Sequence, residues 1–86
     1  YKEVIMTNKK TLYKYYKIIS LKSKTNEKNL VELVSRAERV IIEMNYIIKY
    51  ALKHKKNLNQ KIFLILISKM DNIVDDIYKF RRNYLN

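Results

Sequence analysis

The sequence contains no cysteine, no glycine and no proline, and its single histidine is His54. Without cysteine there is no disulfide framework, no thiolate metal site and no cysteine nucleophile. One histidine leaves no His-rich metal site within a single chain, and no metal or other cofactor is expected. The lack of glycine and proline removes the usual residues of tight turns and helix kinks, which favours long helices joined by short polar loops. Long apolar runs are missing too: the longest, Ile62 to Ile67, is far too short to span a bilayer. No charged-then-apolar leader pattern opens the chain, so the expectation is a soluble cytoplasmic protein with no membrane contact. A start at Tyr1 rather than Met points to a trimmed or partial product.

Acidic residues are scarce. Eight Asp and Glu stand against 19 Lys and Arg, giving a net charge of +11 and a pI near 9.9. Such an excess costs self-repulsion and attracts polyanions, so a nucleic-acid partner is expected, RNA ahead of DNA. The plainer explanation is compositional, because Lys, Asn, Ile and Tyr are abundant here and all have A/T-rich codons. At 86 residues the chain makes one domain, residues 1–86, near the lower end of what folds alone. A core shared within a homo-oligomer is therefore expected.

Two apolar seams organise the chain. Leu30, Val34, Ala37, Ile41, Met44, Ile48 and Ala51 alternate spacings of four and three, as do Phe63, Leu66, Met70, Ile73, Ile77, Phe80 and Tyr84. That period keeps one stripe of a helix against a partner. Reversal at Asn57 would set the seams in seven layers, from Ala51 on Phe63 through Met44 on Met70 to Leu30 on Tyr84, with alanines opposite large residues. The fold class expected is all-α: an antiparallel bundle of three helices at about 8–21, 27–56 and 60–84.

Details follow from the flanking residues. In the first helix Val4, Ile5, Leu12, Tyr16 and Ile19 can share the buried face with Tyr15 at its margin, leaving Lys10, Lys14 and Lys17 outside. Thr7 could instead cap a helix starting at Asn8, with Tyr1 to Met6 as a separate arm; both readings stay open. Lys22 to Asn29 reads as a loop, with Thr25 or Asn26 as the next N-cap and Glu27 in the first turn. In the second helix Leu33, Val40 and Ile47 line one side of the seam, and Ile42, Tyr46 and Tyr50 the other. One flank should take the first helix, and the other a neighbouring subunit. Asn57 suits a left-handed C-cap in a chain without glycine, and Asn59 suits the N-cap of the third helix.

Chemistry-bearing clusters are few, and no enzyme is expected. Asp71, Asp75 and Asp76 form the one acidic cluster; with no metal-binding loop or catalytic spacing beside them they read as a solvated face, Asp75 pairing with Lys79 at i+4. His54 lacks the arginine of a helical ribonuclease motif, because position 49 is Lys, which cannot reproduce a planar guanidinium fork. It reads instead as a charge at a helix C-terminus. Tyr13, Tyr15 and Tyr16 among Lys9, Lys10, Lys14 and Lys17 resemble a surface where aromatics meet bases and ammonium groups meet phosphates, Tyr16 being assigned to the core and Tyr13 to solvent or a partner. Two basic poles are expected: Lys49, Lys53, Lys55, Lys56 and Lys61 around the reversal, and Lys22, Lys24, Lys28, Arg81 and Arg82 at the other end. The nucleic-acid contacts assigned are Lys10, Lys14, Lys17, Lys53, Lys55, Lys56, Lys61, Arg81 and Arg82.

Residues 68–80, SKMDNIVDDIYKF, resemble the terminal helix of the accessory variability determinant family of diversity-generating retroelements. Asp71, Ile73, Ile77 and Phe80 fall on that family's Asp, Ile, Leu and Trp. Ile47 to Ala51 is similar to its Leu-Leu-Arg-Leu-Ala, and Leu58 and Asn59 stand where it has Leu-Ser. The family's glycines are Val74, Tyr78 and Lys79 here, and its four-helix bundle exceeds the three helices expected, so its first helix would be missing or supplied elsewhere. The resemblance implies a basic, non-catalytic accessory protein that assembles as a pentamer and binds a retroelement reverse transcriptase and its template RNA. Bundles encoded by intervening sequences of ribosomal RNA genes are related. The alternatives are a structural subunit of a larger ribonucleoprotein or helical assembly whose lysines are compositional, and a small toxin or ribonuclease dependent on His54.

Overall fold

The computed structural model describes the backbone of residues 2–84 and the side chains of residues 5–82. Three α-helices make up almost all of it: α1 (Lys2–Ile19), α2 (Lys28–Lys53) and α3 (Gln60–Tyr84). A 3₁₀ turn, Ser20–Lys24, follows α1 directly. No strand occurs among the described residues. The helices lie alongside one another in a body of 46 × 19 × 16 Å. Laid end to end, α2 and α3 alone would span roughly 75 Å at 1.5 Å per residue, so they must overlap.

α2 is the central element, packing against both α1 and α3. All seven members of its predicted seam are buried, and they are its only buried residues. On α3, Phe63, Leu66, Met70 and Ile77 are buried, while Ile73 and Phe80 are half-buried against the same core. The seventh member, Tyr84, lies outside the described side chains. Ile73 lies mid-helix between the buried Met70 and Ile77, and Phe80 sits near the C-terminal end of α3. There Phe80 lines a shallow groove with Asn29, Glu32, Leu33 and Arg36, which puts the last turns of α3 beside the first turns of α2.

α1 differs from expectation in its start and its rotation. The helix is continuous from Lys2, so Thr7 is not an N-cap, and its carbonyl accepts from the Thr11 hydroxyl at 3.2 Å within the helix. Of the face read as buried, Val4 falls outside the described side chains. The core stripe is Ile5, Asn8, Leu12, Tyr15 and Ile18, with Ile19 half-buried. Tyr15 is 4% exposed and Tyr16 38%, so the ring expected at the margin is in the core and the one expected in the core is exposed. Two neighbouring pairs, Tyr15/Tyr16 and Ile18/Ile19, permit either stripe on pattern alone. The choice that buries Tyr15 also carries Asn8 into the core, where its Nδ2 has no hydrogen-bond partner among the described residues. An unmade buried amide bond costs about 1–3 kcal/mol, which the apolar side chains of the same stripe offset.

The ends of α2 need two further corrections. Its N-cap is Glu27, which makes no side-chain capping bond; Thr25 acts one step earlier, its hydroxyl accepting from the Glu27 amide at 3.1 Å. At the other end the helix stops at Lys53 rather than Lys56, and the left-handed residue is Lys55, at φ 52°, not Asn57. The Lys56 amide donates to the Ala51 carbonyl at 3.0 Å and the Lys55 amide to Leu52 at 3.4 Å. This is the double closure in which a left-handed residue after the C-cap satisfies two orphan carbonyls. Asn59 caps α3 as expected, its Oδ1 accepting from the Ile62 amide at 3.3 Å.

Candidate nucleic-acid interface

The nine cations assigned to nucleic acid fall in three places. Lys10, Lys14 and Lys17 lie on the outer side of α1, with the exposed Tyr13 and Tyr16 between them, their rings 5.6 Å apart. Lys14 also sets its ammonium 5.2 Å from the centre of the Tyr15 ring. Lys53 ends α2, Lys55 and Lys56 lie in the connection, and Lys61 is in the first turn of α3. Arg81 and Arg82 occupy the last turn of α3, next to Phe80 and so close to the start of α2. All nine are exposed, and none makes an ion pair among the described residues.

The pairs that do form consume acids elsewhere. Glu38 meets Lys22 at 3.8 Å, Glu32 meets Arg36 at 3.1 Å, and Asp75 meets Lys79 at 3.2 Å, the last as its i+4 spacing predicts. Lys22 is thereby withdrawn from the second basic pole. Asp71 is committed differently: it accepts a 2.6 Å hydrogen bond from the Tyr15 hydroxyl, tying α1 to α3. Burial first, and then the bond to Asp71 and its charge, push the Tyr15 phenol well above the ordinary tyrosine range. Tyr15 is therefore a structural phenol rather than a stacking ring, a correction to its place in the basic-aromatic surface.

The second half of α2 carries an arrangement that sequence reasoning divided among other roles. Tyr46, Tyr50 and His54 recur every four residues and rise along one side of the helix. The Tyr46 and Tyr50 ring centres are 6.3 Å apart and those of Tyr50 and His54 are 4.3 Å apart, tilted by 31° and 42°. Tyr46 is 67% exposed and Tyr50 45%. Lys49 and Lys53 line a shallow groove with these three rings. Leu33, Val40 and Ile47 are half-buried against the core, whereas Ile42, Tyr46 and Tyr50 are exposed, and Ile47 borders Tyr46 and Tyr50 in a second groove. The i, i+4, i+8 spacing of three rings was the available signal; its apolar neighbour Ile42 hid it.

No helix among the described residues is long and apolar enough to cross a membrane, and no three His, Asp or Glu side chains converge to hold a metal ion. Comparison with protein-family models, curated proteins and solved structures returns no match.

Proposed function

We propose that the chain is an antiparallel three-helix bundle acting in the cytoplasm as a non-catalytic accessory protein that binds nucleic acid, RNA in the first place, through its basic surfaces. The antiparallel arrangement is supported by the short connection between α2 and α3 and by the groove that Phe80 shares with Asn29 and Leu33. The observation that carries the function is the set of nine exposed cations that make no ion pair among the described residues. Unpaired ammonium and guanidinium groups spread over three places hold a phosphate backbone without reading bases. The resemblance to accessory variability determinants supplies the specific version: a retroelement reverse transcriptase as the protein partner, its template RNA, and a pentamer as the working form. The surface in favour of a protein contact is the exposed apolar group on α3, Ile62, Leu64 and Ile65.

The test is fluorescence anisotropy of a labelled RNA titrated with the protein at increasing salt. Affinity should fall linearly on logarithmic axes as salt rises, and replacing Lys53, Lys56 and Lys61 by Gln should flatten that slope. No binding at low salt, or an affinity indifferent to salt, rules the function out.

A further inference from the structure

The bare side of α2 is not merely apolar. Tyr46, Tyr50 and His54 form a continuous staircase of rings, with centre separations of 6.3 and 4.3 Å, and all three are exposed among the described residues. Lys49 and Lys53 line the groove along one side of the staircase. A second groove runs along its other side, with Ile47 and Ala51 as its floor and Lys56, Asn57 and Asn59 at its rim. No carboxylate lines either groove.

These features select among occupants. A second copy of this chain would set lysines against lysines, at a net charge of +11 on each side. An apolar protein helix would leave the ammonium groups without partners. A duplex has its base faces stacked inside and offers phosphates, 2′-hydroxyls and base edges but no free base face. A single strand offers both a polyanionic backbone and unstacked flat bases, the combination that ring platforms flanked by lysines accept. The amide side chains of Asn57 and Asn59 add donors at the rim, although Asn59 already spends its Oδ1 on the α3 cap.

We infer that the Tyr46, Tyr50 and His54 staircase, with Lys49, Lys53 and Lys56 beside it, is a binding platform for single-stranded nucleic acid, whose bases stack on the rings while its phosphates meet the lysines. This rests on the nucleic-acid reading above and makes it specific: it names the strand state and the residues. The hydroxyls of Tyr46 and Tyr50 are not required, because stacking uses the ring face.

The experiment compares labelled oligouridylate and a duplex RNA of equal length in anisotropy titrations at low salt, using the full chain, Tyr50→Ala, Tyr46→Ala and the Tyr→Phe variant at each position. Both tyrosines are exposed, and circular dichroism checks that each variant keeps its helices. Single-strand affinity should exceed duplex affinity, drop roughly 5- to 150-fold in Tyr50→Ala, and be kept by the Phe variants, with the salt slope unchanged. Equal affinity for the two RNAs, or Tyr→Ala variants that bind like the parent, would overturn the platform while leaving the basic-surface function standing. No binding of either RNA would overturn both. Sedimentation showing an oligomer that dissociates on Tyr46→Ala would assign the staircase to self-association and overturn the platform as well.

Discussion

Tyr15 is where a single side chain decides how α1 is attached. Its ring is in the core and its hydroxyl reaches Asp71 of α3 at 2.6 Å, so one residue contributes apolar burial and a charge-assisted bond together. The folded chain favours the protonated phenol, and therefore binds its proton more tightly than the unfolded chain, whose tyrosine has the ordinary value of 10.0. Stability from this group is complete below about pH 10 and is lost as pH rises through the elevated folded value. Tyr15→Phe should accordingly cost about 1 kcal/mol at pH 7, since Asp71 is exposed and can return to water. The gap between parent and variant should close in urea denaturation series as pH is taken above 10. A gap that stays constant to pH 12 would show that the hydroxyl contributes nothing through its proton. Lysine deprotonation affects both proteins alike and cancels in the comparison.

Among the helices, the seam of α2 was legible because its seven residues keep one alternation of spacings along the whole helix, so that Leu33, Val40, Ile42 and Ile47 fall to its flanks. α1 was less legible. Its true stripe contains Asn8, which an apolar-periodicity reading skips, and its doubled positions at 15/16 and 18/19 leave the rotation to be decided by packing on α2. The exposed lysines of the candidate interface could be read directly, since charge and exposure go together. The ring staircase could not: Tyr46 and Tyr50 look like any apolar flank, and His54 like a charge at a helix end, until ring distances are known. The C-terminus of α2 was misplaced for a related reason. With no glycine available, one of several polar residues must take the left-handed conformation, and the bonds from Lys55 and Lys56 back to Leu52 and Ala51 select Lys55. A left-handed lysine costs roughly 1–2 kcal/mol, against roughly 0.5–1 kcal/mol for the added freedom of an unfolded glycine. Lys55→Gly should therefore stabilise the protein by about 0.5–1 kcal/mol in thermal unfolding, and Asn57→Gly, outside that conformation, should not. Equal gains at both positions would mean the connection closes differently.

For the molecule as a whole, charge sets two responses to salt that run in opposite directions. The free chain carries +11, with three ion pairs among the described residues to relieve it, all of them exposed. Exposed pairs contribute little, so repulsion among the remaining cations is a standing cost of the compact state. Raising ionic strength to about 0.5 M shortens the screening distance to a few ångströms and should raise the melting temperature of the protein alone. The same change should weaken a single-strand complex, because each phosphate contact contributes about −0.7 to the logarithmic salt slope. Four contacts, by Lys49, Lys53, Lys56 and Lys61, would give a slope of about −3. Replacing Lys53 and Lys56 by Gln should then raise the low-salt melting temperature while moving the binding slope to about −1.5. The two readouts test one cause, since the ammonium groups that repel each other in the free protein are the ones proposed to meet phosphate. A melting temperature indifferent to salt, together with a binding slope unchanged by the double substitution, would mean that these lysines are already neutralised by something other than nucleic acid, and that their charge does not power the interface.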